Sequence, residues 1–488
     1  MTPPPRRWQR IGPPAVGAGF FLVALAVLVA GLRPSTLPDR QVSRAVRTDL
    51  GDVRWVRADA TDYTPLERVG RAVYIREGCW YCHSQYVRPV AGEDTRWGPL
   101  SEAGEYAFDR PPLLSSRRIG PDLARVGLKY ADDWHYAHYW DPRLVVPDSV
   151  MPSFKWLYTR LRVALHTTDA GATLVPSPDL RAHFTMNAER PIPLYPNVDG
   201  LVFVTPPASG QWPLDGTPLI DLRAFGDHPP ALTRVTLVFP TRELLGLVRY
   251  IQKLGTDRGA WRDVFEPQTV GVPVMTIPPS PDLLALGREI YSSRCAGCHG
   301  ENGDGNGPAA TFLCPRPRNF TLGIFKFRTT PSGSLPTDGD LYRTVTRGVR
   351  WTAMPSWHEL PDKERIAVVA FIKTFSSRWK DERPEPPAAL GEPPTATPEL
   401  VARGKDRYRK AECSRCHAED GIRPTDFTRG QLKDGSTVRD VFRTMTLGLD
   451  GSPMPSFADS MSEEDRWAIS YYVLSLSAWK KRLTDAGP

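Results

Sequence analysis

The sequence predicts a mainly α fold in which one N-terminal transmembrane helix precedes three related helical domains, the first with a large, partly β insert. Three observations predict this fold. A long uncharged segment lies near the N-terminus, one set of motifs recurs three times, and each copy closes with an amphipathic helical pattern. A chain of 488 residues is also too long for one ordinary domain.

The first predicted element is a transmembrane anchor within residues 1–32. No residue in 11–32 carries a charge, and a segment of that length can cross the hydrocarbon core as a helix. A cleaved signal peptide with a basic start at Arg6, Arg7 and Arg10 is the alternative. The apolar run is long for a signal peptide and no clean cleavage site follows it, which favours a retained anchor.

The motif C-x-x-C-H occurs three times. Two cysteines at this spacing can form thioethers with the vinyl groups of one haem, and the adjacent histidine then binds the iron. A redox dithiol or half of a zinc site would not require the histidine, and a disulfide framework would leave one of the seven cysteines over. We therefore predict three covalently bound haem c groups, held by Cys79, Cys82, Cys295, Cys298, Cys413 and Cys416, with His83, His299 and His417 as axial ligands.

A helical segment with a glycine four residues before a tyrosine precedes each motif. Glycine is costly inside a helix, so its recurrence predicts close packing against another helix or against the haem edge. The pairs are Gly70 with Tyr74, Gly287 with Tyr291, and Gly404 with Tyr408.

A methionine followed by proline, serine and an aromatic residue lies downstream of each motif. Methionine is more often a core residue than a ligand, but its thioether sulfur can occupy the second axial position of a haem iron. Three matched copies favour the ligand role, so Met151, Met354 and Met454 are predicted to complete the coordination.

A proline-led turn separates each histidine from its methionine. A ligand histidine usually donates its other ring N–H to a fixed acceptor, and the carbonyls of Pro121, Pro317 and Pro424 are candidates. An ordinary turn is the equal alternative.

Each copy closes with an amphipathic helical pattern. Residues 241–251, 362–372 and 462–473 carry apolar side chains at helical spacing. Thr241, Asp362 and Ser462 stand where the helices are expected to begin, and all three are residue types that cap helices.

These patterns divide the chain. We predict a polar tether at 33–60, a first domain at 61–256 with an insert at about 156–237, linkers at 257–281 and 378–397, and further domains at 282–377 and 398–480. Within the insert, residues 201–204 and 235–239 are expected to form short strands. The proline-rich linkers predict semi-extended spacers, so the domains are expected to shift relative to one another unless a partner docks them.

Three further residues carry possible chemistry. His135 and His138 could ligate a metal or an extra haem, or could hydrogen-bond to a haem propionate or a partner subunit. Cys314 is the unpaired cysteine and is expected to be a buried, inert thiol. The net charge of +7 is spread along the chain, without the basic block and interleaved aromatic residues typical of nucleic-acid binding.

The first domain resembles the membrane-anchored mono-haem subunit of cbb3-type cytochrome c oxidases. The resemblance lies in residues 74–89, 120–127 and 141–152, together with the N-terminal anchor. The second and third domains resemble class I cytochrome c domains, and their role is similar to that of the separate dihaem subunit of such oxidases. The fusion and the insert depart from the family pattern. The resemblance implies that a separate haem–copper subunit reduces oxygen.

The expected function is therefore electron transfer without catalysis by this chain itself. A soluble cytochrome c or a quinol-oxidising complex would donate electrons, and a haem–copper catalytic subunit would receive them. Because haem of this type is attached outside the cytoplasm, the domains are expected in the periplasm or on the outer face of the inner membrane. The alternatives are a subunit of a nitric oxide reductase relative, a free-standing carrier, and a cytochrome peroxidase, which the three methionines disfavour.

Overall fold

The computed structural model describes residues 7–27, 40–47, 53–127, 129–168, 171–175, 177–179, 184–185, 191–194, 196–197, 199–204, 214–215, 217–220, 233–262, 272–417, 427, 432–435 and 437–476. The chain separates into two compact units. The smaller unit draws on Met1–Thr64, Trp80–Arg125 and Leu254–Trp261. The larger unit draws on Pro65–Cys79, Val126–Lys253 and Arg262–Pro488. The predicted first domain contributes to both units.

Helices dominate the regular structure, as the sequence predicts. In chain order they are α1 (Arg7–Val27), α2 (Pro65–Arg76), α3 (Glu93–Trp97), α4 (Asp132–Trp140), α5 (Arg242–Lys253), α6 (Pro281–Arg294), α7 (Ala296–His299), α8 (Asp338–Arg347), α9 (Asp362–Lys373), α10 (Arg378–Asp381), α11 (Pro398–Lys410), α12 (Val438–Leu447) and α13 (Glu463–Ser475). Short 3₁₀ turns occupy Cys79–Tyr81, Ala103–Tyr106, Pro142–Leu144, Lys155–Leu157, Thr256–Arg258, Ala310–Phe312 and Cys413–Arg415.

Helix α1 covers most of the predicted anchor. Its apolar side chains are exposed where the structure describes them, for example Phe20 at 76% and Phe21 at 66%. Among the helices of the described ranges, none combines the length and apolarity needed to span a membrane. Residues 28–32 of the predicted anchor lie outside those ranges.

The predicted polar tether is wrong in part, because it contains a β-hairpin. Strands β1 (Gln41–Arg47) and β2 (Val53–Asp59) pair antiparallel in the smaller unit. Val42 and Ala45 are buried, and the Ala45 carbonyl accepts a hydrogen bond from the Ala260 N–H at 2.8 Å. The signal that a reading of overall polarity missed is the enrichment in residue types that favour strands, namely Val42, Val46, Val53, Trp55 and Val56.

In the larger unit, the helix before each C-x-x-C-H motif crosses the closing helix of the same repeat. A Cβ atom on Gly70 would overlap the carbonyl oxygen of Gly246. The Tyr74 and Tyr250 rings, one turn further along each helix, lie 5.4 Å apart. The predicted close packing of the glycine is therefore confirmed, and its partner is a helix.

The same crossing recurs twice more in this unit. Gly287 and Gly404 approach the carbonyl oxygens of Ala367 and Ala468, respectively. The aromatic pairs follow the same spacing, with ring centroids 5.4 Å apart in one crossing and 5.3 Å in the other. They are Tyr291 with Phe371 and Tyr408 with Tyr472.

Two of the three predicted helix caps are observed. Thr241 Oγ1 accepts from the Leu244 N–H at 3.3 Å, and Ser462 Oγ accepts from the Asp465 N–H at 3.2 Å. Asp362 is wrong as a cap, because Pro361 occupies that position and Asp362 begins the helix. A carboxylate in the first turn still favours the positive end of the helix dipole.

The insert contains β-strands. Strands β7 (Leu201–Phe203) and β10 (Arg234–Pro240) fall where the sequence predicts them, and β3 is Tyr158–Thr168. The remaining strands are β4 (Gly171–Leu174), β5 (Phe184–Thr185), β6 (Pro191–Leu194), β8 (Leu214–Asp215) and β9 (Thr217–Ile220). Six of these strands form a mixed sheet of order β6-β9-β4-β3-β10-β7, and β5 pairs separately with β8. Alternate apolar residues of the sheet form one buried cluster that includes Val163, Val235 and Leu237.

The linker at 378–397 is not the free spacer that its proline content predicts. The Ala388 N–H donates to the Thr329 carbonyl at 2.8 Å, and the Tyr471 hydroxyl donates to the Pro394 carbonyl at 2.6 Å. The segment thus packs along residues of both the second and the third repeat. A semi-extended segment leaves its own N–H and C=O groups unpaired, and two of them here hydrogen-bond to the neighbouring repeats.

Candidate haem centres

The predicted ligands of the second repeat converge on one cavity. Cys295, Cys298, His299 and Met354 line a cavity of about 230 Å³ in the larger unit. Helix α7 begins directly after Cys295, and the His299 N–H donates to the Cys295 carbonyl at 2.9 Å. This turn brings both thiols and the imidazole to the same wall.

The chemistry of the cavity fits a haem. Its walls include apolar side chains such as Phe320, Leu341 and Val368, which suit the porphyrin face. It is also lined by the cationic side chains of Arg294, Arg316, Arg318, Lys326 and Lys433. Burial is the main cause that lowers the pKa of Lys326, and neighbouring cations lower it further. The anionic propionates of a haem would offset the mutual repulsion of these cationic side chains.

The imidazole of His299 is held by its backbone and aromatic neighbours. Its Nδ1–H donates to the Arg318 carbonyl at 3.0 Å, and the Phe320 ring stacks on it at 4.5 Å. Burial lowers the pKa of His299 to about 4, which keeps the ring neutral and its Nε2 lone pair available for iron. The predicted acceptor Pro317 is therefore wrong by one residue. The Pro317 carbonyl lies beside Gly305 instead.

The three methionines occupy loops with matching backbone contacts. The residue three positions after each methionine donates its N–H to a carbonyl of the preceding helix, at 2.8 Å, 3.2 Å and 3.0 Å. The pairs are Phe154 with Tyr139, Trp357 with Val345, and Phe457 with Met445. These hydrogen bonds tie each methionine loop to α4, α8 or α12.

The third repeat brings together the described part of its predicted site. Cys413, Phe427 and Met454 pack against one buried cluster. The Phe427 ring stacks on the His417 ring at 4.7 Å, as Phe320 does on His299. The Tyr408 hydroxyl donates to the His417 carbonyl. Cys416 is exposed, and Pro424 lies outside the described residues.

In the smaller unit, His83 makes the contact that the sequence predicts. Its Nδ1–H donates to the Pro121 carbonyl at 2.8 Å, which leaves Nε2 as the nitrogen with a free lone pair. Burial lowers the pKa of His83. The neighbouring carboxylate of Asp122 is buried and accepts from the Ser84 hydroxyl at 2.5 Å and the Tyr86 N–H at 2.9 Å. These bonds fix the turn that presents Pro121.

In the larger unit, Met151 lies against His138. The distance from His138 Nε2 to Met151 Sδ is 3.1 Å. His135, on the same helix, is buried and packs edge-on against Trp134 at 5.3 Å. No hydrogen-bond partner of His135 Nε2 is found among the described residues. Burial lowers the pKa of His135 to about 4.

Cys314 corrects another expectation, because its side chain is exposed. Its N–H donates to Asp133 Oδ2 at 2.7 Å. Partial burial of the thiol, together with the Asp133 carboxylate, raises the pKa of Cys314, so it lacks the thiolate character of a reactive cysteine.

Sequence reasoning named the ligands but missed their supports. Phe320 and Phe427 each lie three residues after the proline of the turn, and this shared position was the available signal. Neither the Arg318 carbonyl, as the hydrogen-bond acceptor of His299, nor the cationic side chains of the cavity follow a periodic pattern in the sequence. They could therefore not be predicted from it.

Two family models match the chain. Residues 20–178 match the family described as cytochrome c oxidase, mono-heme subunit/FixO. Residues 282–372 and 399–473 match the family described as cytochrome c oxidase, cbb3-type, subunit III. The search of curated proteins found no significant match. A solved chain of a Kuenenia stuttgartiensis reducing HAO-like protein complex is 41% identical, with 42% of this chain and 100% of that chain covered and a TM-score of 0.40.

Both families are electron-transfer subunits that bind haem c covalently, and the cysteine pairs described above agree with that cofactor. The chain therefore belongs to the cytochrome c subunits of cbb3-type oxidases, as a FixO-type mono-haem segment followed by two segments of the subunit III type.

Proposed function

We propose that the chain is a trihaem c-type cytochrome that passes electrons, one at a time, to the catalytic subunit of a membrane haem–copper oxidase. The observation that carries the proposal is the threefold repeat itself. Each copy combines a C-x-x-C-H motif, a glycine-mediated helix crossing and a tethered methionine loop. When bound, haem c supplies a one-electron Fe(II)/Fe(III) couple.

The protein residues have defined roles in this proposal. The paired cysteines anchor the cofactor, and the histidine and methionine of each repeat ligate the iron. The thioether of methionine favours a high reduction potential, suited to delivery of electrons to an oxidase. The carbonyls of Pro121 and Arg318 hold His83 and His299 in the tautomer that binds metal. The proposed ligand pairs are His83 with Met151, His299 with Met354, and His417 with Met454.

We place the chain at the inner membrane, with its haem domains in the periplasm or on the outer face. The uncharged segment 11–32 and the exposed phenylalanines of α1 support a membrane anchor. Deletion of residues 1–32, with a cleavable export signal supplied, is expected to release the haem-loaded chain into the periplasmic fraction. Continued recovery with membranes after alkaline washing would contradict the anchor.

The partners follow from the family. A mono-haem subunit of the FixO type supports a haem–copper subunit as the electron acceptor. A soluble cytochrome c or a quinol-oxidising complex is the proposed donor. The first repeat, which has the FixO-type sequence, is the proposed exit point for electrons.

The test is purification of the full chain from native membranes in mild detergent. Mass spectrometry of the intact chain is expected to show the added mass of three haems. Mass spectrometry of the proteins that co-purify with it is expected to identify a polytopic haem–copper subunit. Oxygen and nitric oxide consumption by the complex then separates the oxidase from a nitric oxide reductase. Recovery of the chain alone, or only with a quinol-oxidising complex, would overturn the oxidase assignment.

A further inference from the structure

We propose that Tyr130, Trp134 and His138 form an aromatic bridge that carries electrons between the first and the second haem centre. The inference rests on the proposed function, since it requires haem at both centres. It adds a route that neither the motifs nor the family descriptions assign.

The three rings form one continuous stack. The Tyr130 and Trp134 rings lie 3.9 Å apart with an interplanar angle of 11°. The Trp134 and His138 rings lie 4.6 Å apart with an angle of 14°. Trp134 and His138 stand four residues apart, so they share one face of α4. Tyr130 lies in the bend two residues before α4 begins, and its ring continues the stack.

One end of the stack reaches the second centre. Tyr130 and Trp134 line the same cavity as Cys298, His299 and Met354. The segment that follows α4 also meets the second motif, because a Cβ atom on Gly297 would overlap the Leu144 carbonyl oxygen.

The other end reaches the predicted iron ligand of the first centre. His138 Nε2 lies 3.1 Å from Met151 Sδ. Met151 is in turn fixed through the hydrogen bond from the Phe154 N–H to the Tyr139 carbonyl, on the helix that carries the stack. This hydrogen bond ties the loop of Met151 to the helix that carries Trp134 and His138.

A buried carboxylate fixes the stack relative to the second repeat. Asp133 is 5% exposed and accepts from the Cys314 N–H at 2.7 Å. This bond joins the first turn of α4 to the loop that leads into the second cavity, since Pro315 and Arg316 both line that cavity.

The electron transfer is balanced without chemistry on the protein. With haem held at both centres, one iron would change from Fe(II) to Fe(III) as the other changed from Fe(III) to Fe(II). No bond breaks and no proton leaves Tyr130, because the rings provide orbital overlap and are not themselves oxidised.

The test uses the full, haem-loaded chain in detergent. A radiolytic pulse injects an electron, and absorbance follows its redistribution among the haems. A chain with Cys79→Ala and Cys82→Ala, which lacks the first haem, identifies the phase that belongs to exchange between the first and second centres. Trp134→Leu is expected to slow this phase at least several-fold. Trp134→Phe, which keeps an aromatic ring in the stack, should retain most of the rate.

Trp156→Leu is the matched control, because Trp156 is exposed and lies outside the stack. Because Trp134 lines the second cavity, haem content, the absorption band of methionine ligation and the reduction potentials are measured in both Trp134 variants. Rates are compared only between Trp134→Leu and Trp134→Phe chains that agree in these three properties. If Trp134→Leu loads haem poorly, Tyr130→Leu tests the other end of the stack with the same expectation. Wild-type redistribution in a fully loaded Leu variant would overturn the bridge. A wild-type chain with fewer than three haems would instead overturn the trihaem function.

Discussion

At the scale of single residues, the histidines show how the chain prepares an iron ligand. His83 and His299 each donate Nδ1–H to a backbone carbonyl, so each presents Nε2 with a lone pair. An aromatic ring, Phe320, limits the rotation of the His299 ring. These supports act on orientation, and therefore a change near them should affect ligation before it affects folding.

Gly120 tests that orientation directly. A Cβ atom at this position would overlap the His83 ring, so Gly120→Ala is expected to rotate the imidazole and weaken its bond to iron. Ser116→Ala, an exposed change in the same loop, should have no effect. Haem content and the absorption spectrum report the result. A fully loaded Gly120→Ala chain with the wild-type spectrum would contradict the predicted contact.

Met354 tests the proposed axial ligand of the second centre. Met354→Leu is expected to remove one share of the absorption band of methionine ligation and to lower one of the reduction potentials, because thioether ligation raises the potential. Met275→Leu is the matched control, since Met275 packs against the apolar cluster of the same repeat and lies outside the Met-Pro-Ser pattern. An unchanged band in Met354→Leu would disprove the ligand assignment.

At the scale of elements, the repeated helix crossing is the unit from which each centre is built. Glycine on the first helix lets the backbone of the closing helix approach, and an aromatic pair packs one turn away. The sheet of the insert also contacts the second repeat. The Phe203 ring of β7 lies 4.9 Å from the Phe312 ring, and the Thr311 hydroxyl donates to the Leu201 carbonyl at 3.2 Å. The sheet thus supports a turn of the second repeat.

Gly287→Ala tests the crossing. The new methyl group would overlap the Ala367 carbonyl oxygen, and overpacking of this kind costs about 1–3 kcal/mol in the free energy of unfolding. Ser292→Ala on the exposed face of the same helix is expected to change it by less than about 0.5 kcal/mol. Urea unfolding of the haem-loaded chain measures both. Equal midpoints for the two variants would show that the crossing tolerates a side chain.

At the scale of the larger unit, buried ion pairs join the second and third repeats. Arg328 is fully buried and donates to Asp450 Oδ1 at 2.8 Å. Arg343, also buried, donates to Asp434 Oδ1 at 2.5 Å. Asp450 precedes Gly451, which lies beside the Arg318 guanidinium in the second repeat. The loop that carries Met454 is therefore fixed against the turn that supports His299.

Asp450→Ala tests this docking. It leaves the Arg328 guanidinium buried without its carboxylate, which is expected to cost about 3 kcal/mol. Asp406→Ala, which breaks an exposed pair with Lys410, should cost less than about 1 kcal/mol. Unfolding midpoints measure stability, and limited proteolysis measures access to the linker at 378–397. Wild-type resistance of that linker in Asp450→Ala would show that the pair does not hold the repeats together.

The sequence by itself determined the features that depend on local spacing. The C-x-x-C-H motifs, the glycine–tyrosine step and the methionine context each act within a few residues, so their number and order along the chain were readable. The strands at 201–204 and 235–239 were readable for the same reason, from their short runs of valine, leucine and phenylalanine.

Only the tertiary structure decided the contacts between distant segments. The acceptor for His299, the exposure of Cys314, the docked linker and the hairpin in the presumed tether depend on backbone groups and neighbours far away in sequence. The stack on α4 shows the difference most clearly. Helical spacing aligns Trp134 with His138, whereas the bend before α4 adds Tyr130 to the stack. The packing of the larger unit then places the two ends of the stack at Met151 and at the second cavity.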